Sequence, residues 1–284
     1  MSKKELIRRI VRSKFFMLGF ILVMIIVICI LAGPRILPHD AMTMNLSDRL
    51  ISPQWFAKGT NGYIMGTDAL GQDLLTRLFV GGRTSFLIAL FAVLGGSVLG
   101  TFMGMLAGYY GKKWDTLIMR IGDVQLSINT TLLAIVIASI LGASVANLII
   151  IMIISTWVKF ARVLRGEVMM IKNKEFIHAS RVLGASNFHI MFRQVLPNVT
   201  TPLIVLISQQ FGQIILLEAA LSFLGMGVPM PQPSWGTMIS EGRQYLSTAP
   251  WIVVAPGIAL MTTVVAFNFL GDGIRDVLDP KMKH

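Results

Sequence analysis

Residues 15–33 read FFMLGFILVMIIVICILAG. No charged side chain interrupts this run, and its length is close to the ~20 residues an α-helix needs to cross a bilayer. Lys3, Lys4, Arg8, Arg9, Arg12 and Lys14 precede it. A secretory signal shares that basic start, but its apolar core is shorter and ends in a small-residue cleavage site. Here Gly33-Pro34-Arg35 follows instead. The block reads as a retained first transmembrane helix, with residues 1–14 as a cytoplasmic tail.

Five more apolar blocks follow, at 84–110, 114–141, 146–160, 199–223 and 250–270. Of the 284 residues 54% are apolar and only 14% charged, against about 25% charged in soluble domains. Residues 34–83 hold Asp40, Asp48, Lys58, Asp68, Asp73 and Arg77 among several Pro and Gly. Lipid would leave those groups unsatisfied, so the segment reads as an extracytoplasmic connector. The expected fold is an all-α polytopic membrane bundle of six spans. Its core is 84–272, a cytoplasmic loop lies at 166–198, and 273–284 is a C-terminal tail.

Charge distribution orients the bundle. The tails, the turn at Lys112-Lys113 and the segment 159–193 hold about three-quarters of the Lys and Arg, while the loop 225–249 has only Arg243. Positive residues stay inside, which places both termini in the cytoplasm. The net charge of +11 therefore serves orientation. No basic stripe interleaves with aromatics, which excludes a nucleic-acid partner. The one cysteine, Cys29, cannot form an internal disulfide. His39, His178, His189 and His284 are scattered, so neither a metal site nor a catalytic arrangement is expected.

Gly96, Gly100, Gly104 and Gly108 recur every fourth residue of the second block. In a helix they share one face, which lets a neighbouring backbone approach closely. Asp115, Arg120, Asp123 and Glu218 are intramembrane ionisable residues and hence functional candidates. Asp115 and Asp123 anchor the third block at the interface or pair with Arg120; as a proton relay they would suit an ion-coupled secondary transporter. That alternative calls for inverted repeats, and the halves show no self-similarity. A non-transporting scaffold is compatible with composition alone.

Within 166–198, Phe176, Ile177, Ala179, Ser180 and Leu183 can share a small or apolar helical side, with Lys174, His178 and Arg181 polar. Gly184 is placed as a C-terminal cap glycine, and Ser186 opens a second helix running to Pro197. Helix, glycine, helix forms a compact protrusion whose amphipathic side needs a partner.

Glu175 through Gly184, with Ile190, Leu196 and Pro197, resembles the cytoplasmic signature loop of binding-protein-dependent ABC importer permeases. Gly66-Thr67-Asp68-Ala69-Leu70-Gly71-Gln72-Asp73, Leu221-Ser222-Phe223-Leu224-Gly225-Met226-Gly227, Pro233-Ser234-Trp235-Gly236 and Asn268 through Asp276 sharpen the likeness. Together they resemble the C-type permease subunit of the dipeptide/oligopeptide/nickel import family, with the type I importer permease fold. Two departures stand out. The family's usual Glu-Ala-Ala is His178-Ala179-Ser180 here, and Asn129 occupies a position where a helix-bending proline is common.

The resemblance implies a permease subunit of an importer in the bacterial cytoplasmic membrane, without an ATPase site of its own. Its partners would be a second permease subunit, two nucleotide-binding ATPase subunits carrying ATP and Mg, and an extracytoplasmic solute-binding protein. Di- and oligopeptides are the implied cargo, with nickel or metal–chelator complexes as the alternative. The implied coupling element comprises Glu175, Phe176, His178, Ala179, Ser180, Arg181, Leu183 and Gly184. Consistent with the missing ATPase site, no G-x-x-x-x-G-K-[ST] phosphate loop occurs.

Overall fold

A computed structural model describes residue 9 and residues 13–37, 40–56 and 62–278. Most of the expected tail 1–14, the end of 273–284, and His39, Lys58 and His284 lie outside the described residues. Among the described residues regular structure is helical, apart from one isolated bridge between Thr67 and Asp73.

Helix α1 (Lys14–Ile36) begins where the Ser13 side chain accepts from the Phe16 N–H at 3.3 Å. It runs past residue 33 and takes Pro34 into its last turn, where a proline removes few helical hydrogen bonds. Phe15, Phe20, Ile25 and Leu31 project outward, as a surface solvated by hydrocarbon requires.

Helix α2 (Leu74–Tyr110) starts ten residues before the expected boundary at 84. The reason is its cap, since Asp73 Oδ2 accepts from the Thr76 N–H at 3.0 Å. Its 37 residues reach about 55 Å, well beyond the ~30 Å hydrocarbon core.

The third block is not one continuous helix. It is α3 (Lys112–Ser127) and α4 (Thr130–Leu141), bent by 94°. Asn129 Oδ1 accepts from the Thr131 N–H at 2.9 Å and the Leu132 N–H at 3.4 Å. The asparagine thus starts a fresh helix by capping, where a proline would act by removing a donor.

Helix α5 (Val145–Ile171) continues eleven residues past 160, so the first part of the loop expected at 166–198 is helix. After α6 (Glu175–Val182) come Asn187–His189, a π-helical stretch Ile190–Val195, and Leu196–Asn198. Helix α7 (Thr200–Phe223) leads to a short α8 (Trp235–Gly242), and α9 (Trp251–Leu278) ends inside the expected tail 273–284. The tail is helical there because Gly271 and Gly273 let α9 lie against Ser208 and the backbone of Phe16. By length and composition α1, α2, α5, α7 and α9 can each cross a membrane, and the bent pair α3–α4 brings the total to six.

Helices α2 and α5 pack closely against each other. A Cβ added at Gly96 would sit 2.7 Å from Thr156 Oγ1, at Gly100 2.5 Å from Phe160 Cβ, at Gly104 2.6 Å from the Ala161 carbonyl, and at Gly108 2.8 Å from Val168 Cβ. All four glycines are buried.

At the end of the bundle remote from α6, three sequence motifs converge. Asp68 Oδ1 accepts from the Leu70 and Gln72 N–H groups at 2.8 and 2.9 Å, and its other oxygen pairs with Arg77. Arg77 also reaches Glu241 of α8 at 2.9 Å. Glu218 of α7, fully buried, accepts from Ser85 at 2.9 Å and Ser222 at 2.7 Å. Ser85 Oγ in turn accepts the Trp235 N–H at 3.2 Å, and the Trp235 indole donates to the Leu78 carbonyl at 2.9 Å. Gly82 makes room for that indole, since a Cβ there would meet Trp235 Cζ2 at 2.7 Å.

Two predictions follow from this packing. Gly104→Ala should destabilise detergent-purified protein, because overpacking costs about 1–3 kcal/mol. Gly166→Ala, on the facing helix α5 and with nothing within 4 Å of an added Cβ, should stabilise by up to ~1 kcal/mol through helix propensity; thermal melts of both variants check the contrast. Arg77→Met should cost about 3–5 kcal/mol by stranding a buried carboxylate. Glu241→Gln, at a side chain 36% exposed, should cost at most about 1 kcal/mol in the same melts.

Candidate functional site

The protrusion is built outward from the ends of α2 and α5. Lys172 follows α5 and donates from Nζ to the Gly108 carbonyl in the last turn of α2 at 2.6 Å. A cation on those late carbonyls is favourable. One turn later the Lys174 N–H returns to the Ile171 carbonyl at 3.0 Å, and α6 begins. Glu175 lies in its first turn and Arg181 in its last, matching the helix dipole.

One α6 side chain ties the protrusion to the bundle. Ile177 is fully buried in a cluster with Met105, Tyr109, Leu164, Val168 and Ile190. Three polar contacts brace it. The Arg181 guanidinium stands 5.5 Å from the Tyr109 ring centroid, the Tyr109 hydroxyl donates to Asn187 Oδ1 at 2.8 Å, and Gln194 Nε2 donates to Ser180 Oγ at 2.8 Å.

Gly184 has φ +84°. Around it the Gly184 N–H bonds the Arg181 carbonyl and the Ala185 N–H bonds the Ser180 carbonyl, both at 3.0 Å. Those two bonds make a Schellman cap. An added Cβ at Gly184 would meet nothing within 4 Å, so backbone conformation alone selects glycine here. Gly225 ends α7 with the same pair of bonds and φ +79°.

The structure divides the apolar side read from the sequence. Ile177 turns inward, whereas Phe176, His178, Ala179 and Leu183 are exposed and Ser180 is half-buried. Leu183 is 86% exposed, and Val182 and Phe188 beside it are 88% and 71% exposed. The most exposed apolar surface of the protrusion is therefore the Val182–Leu183 corner with Phe188, whose ring also packs on Phe192, two residues more than the sequence pattern marked.

Asp115 and Asp123 are anchors, but not through Arg120. Asp115 pairs with Arg165, one contact being 2.7 Å, and Asp123 pairs with Arg162. These partners lie about 40 to 50 residues away in α5, beyond the reach of helical-spacing arguments. They hold α3 along α5, and Gln125 extends the seam to Trp157 at 2.9 Å. Sequence reasoning also missed the supporting Tyr109, near the end of the second block, and Lys172 and Gln194, inside the loop read at 166–198. Among the described residues no group of three His, Cys, Asp or Glu side chains could hold a metal ion.

Residues 96–284 match the family described as the binding-protein-dependent transport system inner membrane component. Residues 4–53 match the N-terminal transmembrane domain of oligopeptide transport permease C. The chain is 39% identical over 283 residues to the dipeptide transport system permease protein DppC of Alkalihalophilus pseudofirmus, covering 99% of this chain and 90% of that one. Identity is also 39%, over 281 residues, to the di/tripeptide transport system permease protein DppC of Pseudomonas aeruginosa, covering 99% and 93%. To the glutathione transport system permease protein GsiD of Escherichia coli it is 38%, covering 98% and 90%.

Among solved structures, a chain of the inward-facing MetNI methionine ABC transporter aligns with TM-score 0.58 at 19% identity, over 71% of this chain and 96% of that one. That likeness carries the fold alone. This chain belongs to the binding-protein-dependent ABC importer permeases, as a multi-pass inner-membrane component.

Proposed function

We propose that this chain is one permease subunit of an ATP-driven importer of di- and oligopeptides. It forms the translocation path with a second permease subunit. Two nucleotide-binding subunits carry ATP and Mg, and a solute-binding protein docks at the end of the bundle that holds α8. The chain itself supplies movement, not covalent chemistry. The cargo reading is supported by the dipeptide, di/tripeptide and glutathione transport named for its relatives, all short peptidic molecules.

The observation that carries the mechanism is the braced protrusion with an apolar tip. Ile177 anchors it to the bundle while Val182, Leu183 and Phe188 face outward, a surface suited to a groove on another protein. Glu175, Phe176, His178, Ala179, Ser180, Arg181, Leu183 and Gly184 form the coupling element. Lys112, Lys113, Lys172, Lys174, Arg181 and Arg193 gather at this end, which supports its cytoplasmic placement and that of both termini. Closure of the ATPase pair displaces the protrusion as a rigid body, and the spans alternate between inward-open and outward-open forms.

Gly184 provides the test. A β-branched residue at this left-handed position costs about 1–2 kcal/mol. In proteoliposomes holding the complete complex, Gly184→Val should cut dipeptide uptake on the order of ten-fold, while insertion and ATP hydrolysis persist. Gly184→Asn, which tolerates this conformation, should transport nearly normally. Full uptake by Gly184→Val would remove the coupling assignment, and a complete complex that takes up no dipeptide would remove the cargo assignment.

A further inference from the structure

Where α4, α5 and α7 meet there is a cavity of about 260 Å³. Its polar lining is Thr130, Thr131, Thr156, Lys159 and Gln213, with apolar walls from α7. Lys159 opens the segment 159–193 expected in the cytoplasm, but because α5 runs on to Ile171 it is near the middle of that 27-residue helix, about 21 Å along the axis from Val145.

An ammonium at that depth is costly without a counter-ion, and none is at hand. Lys159 makes no ion pair or hydrogen bond among the described residues. The nearby carboxylates are engaged elsewhere, Asp115 with Arg165, Asp123 with Arg162, and Glu218 with Ser85 and Ser222. Glu167, eight residues along α5, is about 12 Å away by helical rise. The side chains of Thr130, Thr131 and Gln213 likewise have no intramolecular hydrogen-bond partner among the described residues.

One unpaired cation, two hydroxyls and an amide around an opening within the span describe a site for an anion. The volume is below the ~300–1,000 Å³ of a site enclosing a whole ligand, so it takes one end of a molecule. We propose that this cavity is a carboxylate-binding station on the transport route. Lys159 is the charge partner of the cargo's terminal carboxylate, and Thr130, Thr131 and Gln213 donate hydrogen bonds to it. The assignment of the carboxylate to a peptide rests on the peptide-importer reading above. An anion held by a single ammonium and neutral donors is also free to leave, which passage requires.

Two measurements on the complete complex test this. In proteoliposomes, Lys159→Met should lower dialanine uptake roughly ten-fold or more, the loss expected when a hydrogen bond to a charged group is removed. ATP hydrolysis stimulated by the binding protein should remain, and Lys159→Arg should restore uptake. Unchanged uptake by Lys159→Met overturns the proposal. Independently of cargo, a Cys29→Ser, Thr131→Cys complex should react faster with an anionic sulfonate methanethiosulfonate than with a cationic one. Adding Lys159→Met should erase that preference. Absence of the preference also overturns the proposal. If the preference holds but the unaltered complex takes up no dialanine, the anion site stands and the peptide reading falls.

Discussion

Because Gly96, Gly100, Gly104 and Gly108 lack side chains, α2 and α5 touch nearly backbone to backbone, and both functional ends of the molecule are hung from that contact. In lipid there is little hydrophobic gain in bringing two apolar helices together, so van der Waals packing and polar contacts must do it. A glycine face maximises the first. The pairs Asp115–Arg165 and Asp123–Arg162 supply the second for α3 along the same α5. With α5 held on both sides, its last turns are fixed in space, and they carry Leu164, Val168 and Ile171 into the cluster that seats Ile177.

The two Schellman glycines act at opposite ends of this frame in different ways. Gly184 lies in open space and serves only to turn the chain. Gly225 turns the chain after α7 so that Gly227 and then Gly236 can lie against Ser222, where an added Cβ at Gly236 would come within 2.6 Å of Ser222 Cβ. One is a hinge-free corner that shapes an outward surface. The other folds α8 back over Glu218 and closes a buried polar network.

The spans could be read from the sequence because an uninterrupted apolar run has few folded alternatives. Their ends could not. Arg77, Arg162 and Arg165 look like interfacial stops, yet each is neutralised by a carboxylate that helical spacing does not reveal, and the helices run through them. Asn129 marked the third span as unusual, but a capping side chain and a kinking proline leave similar traces in one sequence, and only the 94° break separates them. The helix–glycine–helix pattern was legible at Gly184. Which side of α6 faces inward was not, because an eight-residue helix has barely two turns and Tyr109 and Val168, far off in the chain, choose the buried side chain. The π-helical stretch Ile190–Val195 has no signature that a single sequence carries.

A single long helix links the two ends. Near its C-terminus α2 receives Lys172 on the Gly108 carbonyl and ties Tyr109 to Asn187. Near its N-terminus the same helix presents Arg77 to Glu241, the Leu78 carbonyl to Trp235 and Ser85 to Glu218. No proline interrupts it, and kinks sharp enough to absorb a displacement arise at prolines, bulges or inserted groups. The interior glycines that could soften it are clasped, Gly96, Gly100, Gly104 and Gly108 against α5 and Gly82 against Trp235 of α8. The same helix thus joins the end that seats Ile177 to the end that seats α8, whereas the third span is broken at Asn129 beside the Lys159 cavity.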